Sequence, residues 1–326
     1  MILKGCDKVN STIVGRFAPS PSGRMHLGNA FCYLLAWLSA RSQNGSLVLR
    51  IEDLDRQRCT RAYAELLISG LTWLGLDWDY GPGRCDNESS YYQSCRDEIY
   101  DIYFAKLRDK NLIYPCFCSR NELLTAEAPH LSDGRVLYGG NCRNLSTAQI
   151  AQLSASRKPA WRLRVPYRTL SFMDRLCGPC SANLAHDWGD VIVRRSDGMY
   201  AYQLAVVIDD ALMGVNEIVR GRDLLTSTPL QLYLSELLGF APPHYLHVPL
   251  LVAPDGHKLS KRDNAPDLGT LRARHLKPEQ IIGLLAYWAK QLAKPEPISA
   301  KELLTIFDAG KLPRADIVVR EQDYKF

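Results

Sequence analysis

The chain has 326 residues, of which 46% are hydrophobic, and its 40 lysines and arginines against 35 aspartates and glutamates give a net charge of +5. This length and composition, without low-complexity tracts, predict two or three globular domains. The charge permits a polyanionic partner without requiring one. The longest apolar stretch, over 30–40, is shorter than the roughly 18 residues of a membrane-spanning helix, and the first residues lack the apolar segment of a secretory signal. We therefore expect a cytoplasmic protein with no membrane segment.

The first part of the chain alternates between strand-like and helix-like patterns. A short apolar strand over 13–17 is followed by a loop rich in proline, serine and glycine, and then by an apolar helix over 27–38. A second strand over 46–51 precedes an amphipathic helix over 63–74. This alternation predicts an α/β fold in which helices cover a parallel sheet.

The composition changes after a helical stretch over 91–112. Closely spaced cysteines, glycines and prolines follow, and no helical period is sustained until about Thr147. The apolar run over 201–212 returns to the pattern of a buried core, so we expect an insertion that interrupts the core. A polar loop and a region of helical period follow His247. The predicted domains are a first core half (1–115), an insertion (116–199), a second core half (200–246) and a loop with a small helical unit (247–326).

A loop suited to phosphate binding joins the first strand to the first helix. It runs from Arg16 through Ser20 and Gly23 to His26, where the predicted helix begins. Small residues let a nucleotide approach the backbone closely, and the N–H groups at a helix N-terminus favour anions. His26 can donate a hydrogen bond to a phosphate oxygen. The alternative is that His26 only caps the helix and that the loop is an ordinary turn.

A second loop carries a cluster of cations in the sequence Lys258-Leu259-Ser260-Lys261-Arg262. Mobile cations beside a hydroxyl suit a leaving pyrophosphate, whose charge must be neutralised in the transition state. A solvated basic loop is the alternative, and it is the commoner meaning of such a run. The combination with the first loop nevertheless favours an enzyme that uses ATP.

With both loops in place, the chain resembles the class I aminoacyl-tRNA synthetases, and within them the glutamyl branch. His26-Leu27-Gly28-Asn29 and Lys258-Leu259-Ser260-Lys261 stand at the positions of the two signature motifs of that class. The resemblance implies a Rossmann-type, nucleotide-binding α/β fold and the ATP-dependent adenylation of glutamate. The matching segments are 16–29, 49–55, 73–78, 190–198, 202–214 and 258–262.

The resemblance also implies where the substrates bind. An arginine fork suits the side-chain carboxylate of glutamate, for which Arg16 is the better candidate, and a buried carboxylate such as Glu52 suits the α-ammonium. From the residues alone, Arg220 could instead be a surface cation and Tyr202 a packed core aromatic. The residues expected to bind glutamate are Arg16, Ser20, Glu52, Tyr202 and Arg220. Those expected to bind ATP, with Mg²⁺, are Pro19, His26, Gly28, Asn29, Ser260 and Lys261, and those expected to assist the chemistry are His26, Lys258 and Lys261.

The insertion contains a Cys-x-Cys pair, Cys116 and Cys118, followed by Cys142. Three thiolates at this spacing indicate a structural zinc site that needs a fourth ligand. The resemblance supplies Tyr138, so we expect these three cysteines and Tyr138 to bind one Zn²⁺ per chain. His130 is the competing fourth ligand, and buried cysteines without a metal are the remaining alternative.

A second pair, Cys177 and Cys180, encloses Gly-Pro and matches the active-site tetrapeptide of thioredoxins. That motif acts at the N-terminus of a helix, where the helix dipole lowers the pKa of a thiol. Here the sequence predicts a loop with no clear helix after it. We therefore expect ordinary cysteines in place of a redox centre, and few or no disulfides.

The RNA partner is inferred from the length of chain after the second loop. The segment from Arg262 to Phe326 is long enough for a small stem-contacting helical unit and too short for the anticodon-binding region of the glutamyl branch. In this respect the chain resembles truncated members that attach glutamate to the queuosine base in the anticodon loop of tRNA(Asp). The alternatives are a short synthetase that charges the 3′ end of tRNA(Glu), a non-catalytic RNA-binding paralogue, and a small-molecule ligase of the same superfamily. We expect a monomer.

Overall fold

The computed structural model describes residues 13–119, 137–259 and 267–324. His130, Ser260, Lys261 and Arg262 lie outside the described residues. The strands, numbered in chain order, are β1 (Val14–Phe17), β2 (Ser46–Leu49), β3 (Ile113–Cys116), β4 (Ala160–Leu163), β5 (Thr169–Asp174), β6 (Gly178–Asn183), β7 (Ile192–Arg194), β8 (Glu217–Gly221), β9 (His244–Val248), β10 (Leu251–Val252) and β11 (Ile317–Val318). The α-helices are Leu27–Ser42, Arg61–Trp73, Asp97–Asp109, Thr147–Ser154, Leu184–Asp187, Tyr202–Leu212, Thr228–Leu238, Leu268–Ala273, Pro278–Trp288 and Ala300–Ile306.

A parallel sheet forms the centre of the fold. β1 pairs in parallel with β2, and β8 pairs in parallel with β9. The N–H of Val14 donates to Oδ1 of Asn216 at 2.8 Å, and the carbonyl of Val14 accepts from the N–H of Asn216 at 3.0 Å, so β1 lies beside β8. Strands from both sides of the segment 116–199 therefore build one core. The predicted α/β fold with a parallel sheet is confirmed.

Two large hydrophobic cores pack the helices of the fold, and the first of them also covers the parallel sheet. The first surrounds the helix Leu27–Ser42, which buries ten of its residues because apolar side chains recur on nearly every side of it. This core also contains Ile281, Leu285 and Leu303 of the C-terminal helices. The second core joins the helices Asp97–Asp109, Tyr202–Leu212 and Thr228–Leu238. Within the described parts of the chain, no helix combines the length and apolar character needed to cross a bilayer.

The segment between the two halves of the core contains two antiparallel units. β3, β4 and β7 form a three-stranded antiparallel sheet. β5 and β6 form a hairpin, and β5 joins the core sheet through a parallel pairing of Asp174 with Tyr245. The sequence predicted a loop here because Gly178 and Pro179 stand in β6. Since β6 is an edge strand, its proline can stand in the strand without breaking the ladder.

The C-terminal region contains helices, as its period predicted, together with one strand that the period did not predict. β11 pairs in parallel with β10, which places Ile317 opposite Leu251 and Val318 opposite Val252. This pairing ties the end of the described chain to the strand that leads into the second loop.

Candidate active site

A cavity of about 710 Å³ opens at the carboxyl ends of β1, β8 and β9. Ligands of open α/β sheets bind at this edge, where the loops leave the strands. The described residues that were predicted to bind substrates and that line the cavity are Arg16, Ser20, His26, Gly28, Asn29, Glu52, Tyr202, Arg220 and Lys258. Pro19 supports the cavity from behind, since its carbonyl accepts a hydrogen bond from the N–H of Glu52 at 2.8 Å.

The first loop ends at the N-terminus of the helix Leu27–Ser42, with His26 at the N-cap position. Oδ1 of Asn29 accepts a hydrogen bond from the N–H of His26 at 3.3 Å, which closes the first turn. A Cβ atom at Gly28 would lie 3.2 Å from Nδ1 of His26, so glycine leaves room for the imidazole. His26 therefore caps the helix and also lines the cavity. The helix N-terminus at this wall favours an anion.

Glu52 is a buried carboxylate held by a buried arginine. One of its oxygens lies 3.0 Å from Nη2 of Arg50, and Nη1 of Arg50 lies 2.7 Å from Oδ1 of Asp210. Burial raises the pKa of Glu52, and the ion pair with Arg50 opposes that rise. A fixed carboxylate at the cavity wall favours a cationic ligand group.

A deeper layer of charge, which the sequence analysis missed, supports Arg50. Asp209 accepts hydrogen bonds at 2.7 to 2.8 Å from the side chains of Arg96, Tyr100 and Gln93. The available signal was a pair of consecutive acids, Asp209 and Asp210, in the mostly apolar helix Tyr202–Leu212. Buried carboxylates need cationic partners, so such a pair predicts buried arginines nearby.

Arg220 is a buried cation surrounded by neutral acceptors, and so it is not a surface cation. Within the described parts of the chain it forms no ion pair, whereas Arg16 lies 3.5 Å from Asp210. A buried cation without an anion is costly, so this position favours an anionic ligand. The guanidinium donates to Nε2 of His247 at 3.0 Å, Oε1 of Gln231 at 2.8 Å, Oγ1 of Thr228 at 2.8 Å and the carbonyl of Leu224 at 3.2 Å.

Tyr202 begins the helix that carries the two acids and lines the same cavity. Burial raises the pKa of its hydroxyl to about 12, and the charge of Glu52 adds to the rise. Tyr202 is therefore a neutral phenol that can donate a hydrogen bond to a ligand.

The second loop reaches the cavity through Lys258. Its Nζ lies 2.6 Å from Oδ2 of Asp223, and both side chains are exposed. Ion pairs between exposed groups are weak, so this ammonium can exchange Asp223 for a phosphate oxygen. The structure thus brings the beginning of the second loop to the first loop.

The sequence matches the family model described as tRNA synthetases class I (E and Q), catalytic domain, over residues 12–320. The protein belongs to this family. The predicted family and the predicted enzyme class, a ligase of the class I aminoacyl-tRNA synthetases, are confirmed.

The relatives of this class I synthetase include proteins of two names. A glutamyl-Q tRNA(Asp) synthetase from Symbiobacterium thermophilum is 44% identical over 308 residues, which cover 94% of this chain and 95% of that protein. A glutamate–tRNA ligase 2 from Syntrophus aciditrophicus is 39% identical over 94% of this chain, which covers only 63% of that protein. Among solved structures, a glutamate tRNA ligase from Elizabethkingia meningosepticum in complex with its amino acid superposes with a TM-score of 0.82 at 28% identity, over 96% of this chain and 68% of that one.

The synthetase also brings the expected metal ligands together, at the end of β3. The Sγ atoms of Cys116, Cys118 and Cys142 all lie within 4.8 Å of one another, and those of Cys118 and Cys142 are 3.6 Å apart. The hydroxyl of Tyr138 lies 3.5 Å from Sγ of Cys116 and 3.7 Å from Sγ of Cys118. Thiolates at ~2.3 Å from a tetrahedral zinc stand roughly 3.8 Å apart, so the cluster has the dimensions of a metal site.

Cys177 and Cys180 are free cysteines at the beginning of β6 in this synthetase. They lie on either side of Gly178 and Pro179 in this strand region, and neither stands at a helix N-terminus. Burial raises the pKa of the Cys177 thiol to about 11, whereas a redox-active thiol requires a lowered pKa. The geometry therefore gives the thioredoxin-like tetrapeptide no activated thiol.

Proposed function

We propose that this protein activates L-glutamate with ATP and transfers the glutamyl group to the queuosine base of tRNA(Asp). The observation that carries the first step is the pair of opposite buried charges in one cavity, Glu52 and Arg220. An amino acid with an acidic side chain complements them, because its ammonium suits Glu52 and its carboxylates suit arginines. The glutamyl-Q tRNA(Asp) synthetases matched over nearly their full length support the second step.

In the proposed complex, each cavity side chain meets a group of opposite character. Glu52 accepts hydrogen bonds from the α-ammonium, and Arg16 and Arg220 bind the carboxylates. Arg16 is assigned to the side-chain carboxylate on its position in the first loop. The hydroxyls of Ser20 and Tyr202 donate the remaining hydrogen bonds.

The proposed reaction needs positioning and charge neutralisation more than a protein nucleophile. An oxygen of the glutamate α-carboxylate attacks the α-phosphorus of ATP, the bond from that phosphorus to the bridging oxygen breaks, and pyrophosphate leaves. The adenylate carbonyl then accepts the RNA nucleophile and AMP leaves. Bound Mg²⁺ would neutralise charge on the phosphates. Binding both substrates in one cavity supplies most of the expected acceleration.

The two loops would hold the nucleotide. His26 and the helix N-terminus donate to the phosphates, while Lys258 and Lys261 neutralise the departing pyrophosphate. The backbone of the first loop lets the triphosphate approach closely. The residues assigned to ATP are Pro19, His26, Gly28, Asn29, Ser260 and Lys261.

The second candidate is transfer to the 3′ end of tRNA(Glu), the reaction of a short glutamyl-tRNA synthetase. Glutamate–tRNA ligases among the relatives reach 44% identity, which favours this candidate as a serious competitor. They are, however, covered over only 63% of their length, against 91% to 97% for the glutamyl-Q tRNA(Asp) synthetases that match this chain at 40–44% identity. A non-catalytic paralogue is disfavoured by the charges that line the cavity.

Incorporation of labelled glutamate with ATP into three purified RNAs tests the proposal. These are tRNA(Asp) with queuosine, tRNA(Asp) without it, and tRNA(Glu). We expect label only on the first. Label on tRNA(Glu) alone would show the second candidate to be right, and no label together with no glutamate-dependent pyrophosphate exchange would show a non-catalytic protein.

The cysteine cluster is proposed to bind one structural Zn²⁺ through Cys116, Cys118, Cys142 and Tyr138. Bound zinc would fix the turn that follows β3. Nε of Arg162 lies 3.3 Å from Sγ of Cys116, and its guanidinium carbon lies 3.8 Å from the centre of the Tyr138 ring. A cation at this position offsets the negative charge of three thiolates. It also contacts two of the proposed ligands and so helps to hold them in place.

The division of the chain into two core halves, an insertion over 116–199 and a C-terminal unit from 247 remains a proposal. The hairpin of β5 and β6 shows that part of the insertion is hydrogen-bonded to the core. A monomer in the cytoplasm, acting on ATP, glutamate and a tRNA, is likewise proposed.

A further inference from the structure

Arg220 is connected to a buried histidine and a buried aspartate. Nε of Arg220 donates to Nε2 of His247 at 3.0 Å, and Nδ1 of His247 lies 2.7 Å from Oδ2 of Asp174. The side chains of His247 and Asp174 are fully buried. Neither residue lines the cavity, and the proposed reaction uses neither of them directly.

The hydrogen bonds determine which nitrogen of His247 carries the proton. Arginine can only donate, so Nε2 of His247 accepts and the ring proton lies on Nδ1, toward Asp174. The hydroxyl of Thr228, 3.2 Å from Nε2, can donate to the same nitrogen. Burial lowers the pKa of His247, and the charge of Arg220 lowers it further against the opposing hydrogen bond of Asp174. His247 is therefore neutral at neutral pH.

Asp174 meets donors on both of its oxygens. Oδ1 accepts from the N–H groups of Leu176 and Cys177 at 3.0 and 2.8 Å. Oδ2 accepts from the backbone N–H of His247 at 3.1 Å and from its imidazole. Burial would raise the pKa of Asp174, but these hydrogen bonds outweigh it and lower the pKa. An amide at this position would turn its NH₂ group toward at least one donor.

Tyr245 completes the support around the histidine. Its ring is stacked on that of His247, with 5.7 Å between centroids and 9° between planes, and the guanidinium of Arg220 lies 5.1 Å from its centre. Tyr245 is also the residue of β9 that pairs with Asp174 of β5. The hairpin of β5 and β6 thus places the carboxylate of Asp174 against His247, on the side of the ring away from Arg220.

We infer that Asp174 and His247 are positioning residues, which hold Arg220 in place while leaving its positive charge available for a carboxylate of the substrate. Because a neutral imidazole accepts from Arg220 without supplying an anion, the guanidinium is fixed but not neutralised. Asp174 acts one step further away, by keeping the ring proton on Nδ1. The inference rests on the proposed function, since it takes the anion bound at Arg220 to be glutamate.

The Asp174→Asn variant tests the inference. The asparagine NH₂ group must face donors, and when it faces Nδ1 of His247 that nitrogen accepts, which moves the ring proton to Nε2 against Arg220. We expect the ¹⁵N resonances of His247 to report this change of tautomer. Glutamate affinity, measured by titration calorimetry with L-glutamate, should fall about tenfold, as for the loss of a hydrogen bond to a charged group. The rate of pyrophosphate exchange at saturating glutamate should change less than the Michaelis constant for glutamate.

Asp190→Asn is the matched control. Asp190 is a buried carboxylate that accepts from Tyr114 and Arg143, and it does not line the cavity. This variant should lose stability while keeping the tautomer of His247 and the glutamate affinity of the unaltered protein. Equal loss of affinity in both variants would reduce Asp174 to a structural role and overturn the inference.

A second pair of variants decides the case if Asp174→Asn fails to fold. In His247→Gln the amide oxygen can still accept a hydrogen bond from Arg220, whereas the leucine side chain of His247→Leu has no acceptor. We expect His247→Gln to bind glutamate several-fold more tightly than His247→Leu, and equal affinities would overturn the inference. If the unaltered protein binds no glutamate, the proposed function fails, while the tautomer of His247 still shows whether Asp174 controls the ring.

Discussion

Glu52 shows how a buried carboxylate at this site is held by a buried arginine. Arg50 lies against one of its oxygens and is itself held by Asp209 and Asp210. The arginine offsets part of the cost of burial, which still raises the pKa of Glu52, and the carboxylate lines the cavity where a ligand cation would meet it. Arg220 is held differently. Neutral acceptors surround this buried cation, and the ligand is expected to neutralise it.

Replacing Glu52 with glutamine removes the charge and keeps the shape. We expect glutamate affinity to fall tenfold to a hundredfold, the range of about 1.5–3 kcal/mol for a hydrogen bond to a charged group. Titration calorimetry with L-glutamate measures it. Glu65→Gln is the control, because Glu65 is exposed and pairs with Arg61 on the helix surface. Unchanged glutamate affinity in Glu52→Gln would show that the ammonium does not bind at Glu52.

Alanine variants of Lys258 and Arg16 should change different kinetic constants. Lys258→Ala, like Lys261→Ala, should slow pyrophosphate exchange tenfold or more with the glutamate Michaelis constant little changed, because the lysines meet charge that develops on the leaving group. Arg16→Ala should instead raise that Michaelis constant. Lys301→Ala, an exposed lysine on a C-terminal helix, is the control. Equal effects of Lys258→Ala and Arg16→Ala on the Michaelis constant would contradict this division of roles.

Among the elements, those with a strong local pattern were predictable from the sequence. β1 and the helix Leu27–Ser42 lie where they were expected, although the helix extends four residues further, because strands and helices each have their own hydrophobic period. The hairpin of β5 and β6 was missed because glycine and proline in an edge strand resemble a loop. The pair Asp174 and His247 was missed for another reason: 73 positions separate them, and only the pairing of β5 with β9 brings them together.

The proposed zinc site at the cysteine cluster can be tested ligand by ligand. Cys118→Ser should abolish stoichiometric zinc, whereas Tyr138→Phe, which removes only the hydroxyl, should weaken zinc binding and leave three thiolates in place. Metal content after dialysis against a weak chelator measures both. Cys180→Ser is the control, since Cys180 lies in β6 outside the cluster. Full zinc occupancy and affinity in Tyr138→Phe would exclude Tyr138 as the fourth ligand.

Across the whole molecule, the C-terminal helices share a core with the part that is proposed to bind the nucleotide. The first hydrophobic core runs without interruption from Phe17 of β1 through the helix Leu27–Ser42 to Leu303 and Val319. The pairing of β10 with β11 adds a backbone connection. Unfolding of the C-terminal helices should therefore expose the helix whose N-terminus is proposed to bind phosphate.

Leu303→Ala tests this coupling. Leu303 is fully buried in the first core, so the cavity should cost about 2–5 kcal/mol of unfolding free energy. We expect one urea transition, followed by tryptophan fluorescence, that shifts to lower denaturant for the whole protein, and we expect pyrophosphate exchange to be lost at the same lower denaturant concentration. Ile306→Ala, three residues further on with an exposed side chain, should shift neither. If activity in Leu303→Ala survives to the same urea concentration as in the unaltered protein while a separate early transition appears, the C-terminal helices fold independently of the part of the chain that carries the first loop.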